Sequence, residues 1–389
     1  MRAAATLTLA VLLVGGLGAA SVGGSPAPLR EPPGAQVPSG ALGCVGPRSS
    51  AGVPVRPAPP LRFGINPNVT TGQVGPPAPA VAMSWPSTLA ALRRLRVSGR
   101  PFVLRLTRLF WSDGEAGIRH QAALARRYGA AGFSIEVQLR YHPLPEEVGH
   151  LAAWDRFVRS AVDQLGAVPA VTALQVTNEV NFTASPDSSD GAYPGARAAL
   201  VQGVEVAKAE ARRDGYGRLR VGFNWFYRTD PADEQRFWGY LRDHGGPTFS
   251  AAVDWVGLDA YPGTAFPPAE PSVGGYGEAM VNALGVLRRC FMPYAHLGHR
   301  VAIRVTENGW PTGPGRTEAK QAQVLAEMVR TVNTYRGTFG VTDYQWFDLR
   351  DANSSSPNPQ QRYGLLDDHD RPKPAFGVYR RLVAGLSGP

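Results

Sequence analysis

Two glutamates in this chain sit where their carboxylates could do chemistry. VTENGWPT (305–312) places Glu307 after a β-branched run and directly before Asn308-Gly309, a tight-turn dipeptide, with Trp310-Pro311 beside it. LQVTNEVN (174–181) places Glu179 after Asn178 at the end of a second β-like run. Two carboxylates that face each other across a polar, aromatic-walled mouth can divide the work of breaking a glycosidic bond. One, with a raised pKa, protonates the leaving oxygen while the other attacks or activates water. A glutamate beside a turn is usually just solvated. The case therefore depends on the elements that carry these two.

Those elements repeat. From residue 61 onward short β-like runs alternate with stretches of helical periodicity. The runs are 61–68, 102–111, 132–142, 171–181, 219–228, 254–263, 299–310 and 341–351, each followed by a helical pattern. Eight such units predict a (β/α)8 TIM barrel. A doubly wound open sheet is the runner-up, but no glycine-rich phosphate loop opens the helix after the first run. In a barrel, chemistry gathers at the C-terminal ends of the strands. Those ends supply Asn66, Arg105, His142, Asn178, Glu179, Trp225, Tyr261, Glu307 and Trp346. The aromatic residues offer faces for sugar rings, and the asparagines and arginine offer hydrogen bonds to hydroxyls. Two glutamates thus end the fourth and seventh strands.

TNE (177–179) and TENGWP (306–311), on those two strands, resemble clan A of the glycoside hydrolases, the retaining β-glycosidase barrels. The resemblance runs from about residue 61 to the C-terminus, including the entry to the last helix at YGLLDDHDRPKPAF. It implies that Glu179 is the general acid/base, Asn178 binds the sugar 2-hydroxyl and Glu307 is the nucleophile. It implies further that Arg105 in VLRLTRL and Tyr261 hydrogen-bond the nucleophile, and that Trp346 floors the first sugar subsite. A strand register shifted by one would bring Arg108 inward in place of Arg105. His142 either reaches the sugar or is a hydrogen-bonded structural histidine, and Trp225 and Trp346 either line subsites or pack. Thr-Glu-Asn-Gly is similar to the β-glucosidases and Gly-Trp-Pro to the endo-1,3-β-glucanases, which leaves sugar, linkage and exo or endo action open. Segments 182–194 and 262–277 are expected to build the cleft walls.

The rest of the chain sets the context. Its 389 residues are 43% hydrophobic and 18% charged, enough for one large barrel. Residues 1–20 read as a secretory signal peptide, because Arg2 precedes an apolar run that ends in small residues. Residues 21–60 are rich in Pro, Gly, Ala and Ser and read as a linker or loose arm, leaving 61–389 as the catalytic domain. No later apolar span reaches membrane length, so the mature chain is expected to be soluble and secreted, extracellular or wall-associated. In an exported chain the only two cysteines, Cys44 and Cys290, suggest one disulfide; two free thiols are the alternative.

The net charge of +9 is carried almost wholly by arginines scattered over predicted helices, which argues for solvated helix faces rather than a nucleic-acid surface. His296, His299 and the run Asp367-Asp368-His369-Asp370 lack a convincing ligand spacing, so neither metal nor cofactor is implied. The expected protein is a secreted monomer that hydrolyses an oligo- or polysaccharide by double displacement. A transglycosylase using the same residues and a non-catalytic carbohydrate-binding barrel are the rivals.

Overall fold

The computed structural model describes residues 49–67, 80–228, 231–266, 268 and 274–388. The signal segment, most of the 21–60 arm, Cys44 and part of the 262–277 wall lie outside these residues. The expected pairing of Cys44 with Cys290 therefore rests on a residue outside the described set.

Eight strands form a closed barrel in chain order, β1-β2-β3-β4-β5-β6-β7-β8, with every pairing parallel and β1 closing on β8. They are β1 Arg62–Ile65, β2 Phe102–Phe110, β3 Ser134–Arg140, β4 Val171–Val176, β5 Arg220–Phe226, β6 Trp255–Ala260, β7 Ala302–Asn308 and β8 Val341–Trp346. Between and after them run α1 Trp85–Leu95, α2 Gly114–Ala130, α3 Leu151–Gly166, α4 Ala196–Arg213, α5 Pro231–His244, α6 Gly246–Ala252, α7 Tyr276–Val286, the short α8 Met292–Tyr294, α9 Glu318–Phe339 and α10 Pro374–Leu386. No described helix is long and apolar enough to cross a membrane.

Local sequence explains where these helices begin and end. Ser84 caps α1, its side chain accepting a hydrogen bond from the Ser87 amide at 3.4 Å, and Pro86 occupies the first turn, where its missing N–H costs nothing. Thr317 Oγ1 accepts from the Lys320 amide at 3.1 Å to open α9, and Gly340 closes that helix at φ 69°, a left-handed conformation that suits glycine. Two short helices, α5 and α6, follow β5 where the sequence predicts one. Gly246 at φ 67° turns the chain at the start of α6.

Strand alternation then sorts the side chains. The outward face of β5 packs Phe223 and Trp225 against α5, where Trp238 stacks on Phe291 with ring centroids 5.3 Å apart. Fully burying side chains of this size contributes roughly 1.5–3 kcal/mol each. The inward face of the barrel is polar at its centre. Arg105 of β2, Glu136 of β3 and Arg304 of β7 are all buried and joined by ion pairs: Arg105 Nη1 to Glu136 Oε1 at 2.5 Å and Arg304 Nη1 to Glu136 Oε2 at 2.9 Å. Arg304 also faces Asp343 of β8 at 3.4 Å. Charges this deep are tolerated only when paired, so this layer ties four strands to one another.

The last residues of the predicted arm follow α9. Arg336 donates to the carbonyls of Ala58 at 2.9 Å and Pro59 at 2.9 Å. Ser50 Oγ donates to Glu278 of α7 at 2.6 Å.

Candidate active site

At the C-terminal end of the barrel lies a cavity of about 900 Å³. Glu179 and Glu307 both line it, as do Asn178, His142 and Tyr261. Its walls include the aromatic rings of Phe110, Phe182, Phe226, Phe347 and Tyr363.

Irregularities in the backbone aim the two glutamates. β4 ends at Val176, shorter than predicted, and Asn178-Glu179 sit in a turn where Thr177 has φ 63° and Glu179 has φ 45°. Left-handed φ at β-branched Thr177 is costly and persists only where neighbours fix it. Here the Glu179 amide donates to Asn224 Oδ1 at 2.9 Å and the Asn178 amide to Asp190 Oδ2 at 2.8 Å. On β7, alternation alone would turn Glu307 outward, because Arg304 and Thr306 both face in. A register shift against β6 inserts one extra residue: Leu258 pairs with Val305, but Asp259 pairs with Glu307. This bulge returns Glu307 to the mouth.

A third carboxylate completes the group. One oxygen each of Glu179, Asp259 and Glu307 lies within 4.8 Å of the others, and Asp259 is wholly buried. Glu307 accepts from Tyr261 Oη at 2.7 Å and faces Arg105 Nη2 at 3.4 Å. Asp259 accepts from Thr306 Oγ1 at 2.6 Å and from the Asn224 side-chain amide. Burial raises the Glu179 carboxyl well above the ordinary carboxylate range, and the charges of Asp259 and Glu307 push it further. Burial and then Glu307 raise Asp259 as well, against the opposing pull of Arg105, Thr306 and Asn224. Burial likewise lifts the Tyr261 hydroxyl, with Glu307 adding to it, so Tyr261 stays a donor. Burial works against the charge on Arg105, but Glu136, Glu307 and Asp259 outweigh it and hold the guanidinium protonated. The arrangement therefore sets a carboxyl whose neutral form is favoured beside a carboxyl held by two donors, Tyr261 and Arg105. Three carboxylates this close could also hold a cation, yet neighbouring hydroxyl, amide and guanidinium groups already engage oxygens of Asp259 and Glu307.

The structure distributes the other expected residues unevenly. His142 lines the cavity with Nδ1 at 3.4 Å from Ser112 Oγ, between the rings of Phe110 and Tyr193. Asn178 lines it and donates to the Ser188 carbonyl at 2.7 Å. Asn66 is buried on the barrel side, its amide 3.4 Å from Thr107 Oγ1. Arg105 and Arg108 are not alternatives: a register shift on β2 between Leu106 and Leu109 leaves Arg105 at the barrel centre and Arg108 on the rim.

Trp225 and Trp346 fall on the other side of their strands. Trp225 is buried toward α5 with Nε1 donating to Glu234, and it is the next residue, Phe226, that lines the cavity. Trp346 is likewise buried in the core on the parity of Tyr344, and Phe347 lines the cavity instead. A one-residue difference in strand parity carries each side chain to the opposite face.

Three functional candidates escape the sequence reading. Asp259 stands two residues before Tyr261, so period-two alternation on β6 could have flagged it. Asn224 carries no such signal: alternation from Trp225, the residue expected at the mouth, skips it, and only the turn of Phe226 to the cavity puts Asn224 on that side. Asp190 sits in the 182–194 loop, where no pattern marks it. There it accepts from Arg140 Nε at 2.8 Å, from the Tyr141 amide at 2.7 Å and from the Asn178 amide at 2.8 Å. It pins the ends of β3 and β4 together. The Asp367–Asp370 run is engaged in local hydrogen bonds and ion pairs, with Asp367 on Arg371 and Asp370 on Arg350.

No family model and no curated protein matches the sequence. Solved structures do match the fold. A GH5_18 glycoside hydrolase from Bifidobacterium longum subsp. infantis superposes with TM-score 0.58 at 16% identity, covering 85% of this chain and 80% of that one. A GH5_18 structure from Streptomyces cattleya, solved in complex with Manb1-4GlcNAc, gives TM-score 0.56 at 17% identity over 83% and 80% of the two chains. A β-glucosidase from Exiguobacterium marinum gives 0.52 at 15% identity over 78% and 87%. This chain thus shares the barrel fold of these glycoside hydrolase structures.

Proposed function

We propose that this protein is a retaining β-glycosidase acting on an oligo- or polysaccharide, with Glu307 as nucleophile and Glu179 as acid/base. The observation that carries the reading is the spacing of Glu179 and Glu307, within 4.8 Å at their nearest oxygens, at the ends of β4 and β7. Retaining enzymes hold their two carboxyl groups about 5–5.5 Å apart, whereas inverting enzymes need about 6.5–9.5 Å to admit a water. Burial also favours a proton on Glu179, as a general acid requires.

In the first step Glu307 attacks the anomeric carbon as the Glu179 proton moves to the departing oxygen, which leaves a glycosyl ester on Glu307. In the second step Glu179, now a carboxylate, takes a proton from water as that water attacks the same carbon and frees Glu307. Tyr261 and Arg105 hold Glu307 in place for attack, and the aromatic wall offers faces to sugar rings. Asn178, whose backbone and side chain are both anchored, is placed to meet a sugar hydroxyl.

The test is a panel of dinitrophenyl β-glycosides and neutral or acidic polysaccharides, run with the wild type and with Glu307→Gln. Turnover abolished in the variant, with anomeric configuration retained in the first product seen by proton NMR, is the expected result. An inverted first product would overturn the mechanism. Polysaccharide binding without turnover of any substrate would point to a binding barrel.

A further inference from the structure

Asp259 has no part in the two steps above, yet it lies against both glutamates. It is fully buried on β6, and its two oxygens are already taken by donors, Thr306 Oγ1 at 2.6 Å on one and the Asn224 amide on the other. The direction of the Asn224 bond is fixed by its surroundings. Its Oδ1 accepts the Glu179 amide at 2.9 Å, so its nitrogen must be the group that faces Asp259 and, at 2.8 Å, Asn178 Oδ1. Space for the cluster comes from Gly257, where an added Cβ would stand 2.4 Å from Thr306 Oγ1 and 2.8 Å from the Asn224 Cβ.

We infer that Asp259 is a positioning residue for the acid/base: an anchored carboxylate that keeps the shared proton on Glu179. The inference builds on the glycosidase reading. Two buried carboxyl groups in contact cannot both ionise easily, so they hold one proton between them. Donors fixed on both Asp259 oxygens leave Glu179 as the member able to donate. The other charged and titratable groups around Glu179 are Glu307 from β7, Arg140 from β3 and, against Asp259, Arg105 from β2. Tyr261 faces Glu307.

The consequence spans both steps. In the first, the Glu179 proton passes to the leaving oxygen while Glu307 loses its charge by forming the ester. The number of negative charges in the pocket stays constant. In the second, Asp259 stands beside a newly ionised Glu179, and that repulsion makes Glu179 a better base toward water.

Asp259→Asn tests this with two readouts. Infrared difference spectra, using the protonated-carboxyl band lost in Glu179→Gln, follow the titration of Glu179 directly and need no turnover. With the neighbouring charge gone, Glu179 is expected to release its proton at lower pH, and the basic limb of kcat/KM should move in the same direction. At neutral pH a glycoside with a poor leaving group should lose roughly 10- to 100-fold, no more than the roughly 10²–10⁴-fold that a positioned acid contributes in full. The dinitrophenyl glycoside, which needs no acid, should keep its rate for glycosyl-enzyme formation. Thr306→Val keeps the charge but removes one donor to Asp259, and it should shift the titration the same way by less. That variant serves if Asp259→Asn does not fold. An unmoved Glu179 titration, or equal losses on both leaving groups with an unmoved pH profile, would overturn the inference. A shifted titration in a protein that cleaves no glycoside would leave the inference standing and remove the glycosidase reading instead.

Discussion

Replacing Arg105 by methionine separates what holds the barrel together from what serves the chemistry. Arg105 is fully buried and lies between two carboxylates, 2.5 Å from Glu136 and 3.4 Å from Glu307. Methionine fills much of the same volume but leaves both carboxylates short of a cation at the barrel centre. Glu136 keeps Arg304 at 2.9 Å and Gln345 at 3.3 Å, so it is only half abandoned. Breaking a buried pair by removing one partner costs about 3–5 kcal/mol. That is a large part of the total stability of about 5–15 kcal/mol typical of a domain. In a chain of this length it corresponds to a melting temperature lower by about 4–7 °C.

The second change, Glu136→Gln, removes the stranded charge, and Arg304 keeps Asp343 at 3.4 Å as its partner. The double variant Arg105→Met/Glu136→Gln should therefore recover at least half of the lost stability. Activity should not recover with it, because Glu307 still lacks its guanidinium. Thermal melts of the wild type, both single variants and the double variant give the coupling energy, and dinitrophenyl glycoside hydrolysis gives the activity. A single variant within about 1 kcal/mol of wild type would show that the central ion layer contributes no net stability. A double variant that regained full activity would show that Arg105 does nothing for Glu307.

Two further outcomes follow from the same geometry. Tyr261→Phe removes the 2.7 Å hydrogen bond to Glu307, a bond to a charged acceptor of the kind usually contributing about 1.5–3 kcal/mol, so kcat/KM should fall roughly 10- to 150-fold while melting changes little; an unchanged rate would exclude that hydroxyl from the chemistry. Phe347→Ala opens the aromatic cavity wall and should raise KM for the best substrate about tenfold or more, whereas Trp346→Phe, within the core, should lower stability and leave KM alone; the opposite split would return the sugar platform to Trp346.

The eight-fold βα rhythm was legible because it depends only on periodicity, and each predicted run contains one observed strand. Glu179 and Glu307 were legible because carboxylates at strand ends are rare enough for position to speak. What could not be read was parity. A strand shows its period in sequence, but an inserted residue that reverses the period leaves no trace in residue type. On β7 the reversal at Thr306 carries Glu307 into the mouth, where unbroken alternation would point it outward. On β2 a similar shift puts Arg105 and Arg108 on one side of the sheet, where alternation would make them exclusive. On β5, and on β8 from Asp343 onward, alternation runs on uninterrupted, and it takes Trp225 and Trp346 into the core one residue short of Phe226 and Phe347. The same period, applied backward from Tyr261 just past β6, reaches Asp259. The hardest residue to foresee was Asp190, since a loop aspartate that caps two backbone amides and an arginine looks, in sequence, like any solvated loop residue. Such irregularities gather where the candidate chemistry is: the left-handed turn just past β4 and the bulge on β7 bring Glu179 and Glu307 to Asp259 of β6, with one oxygen of each within 4.8 Å of the others.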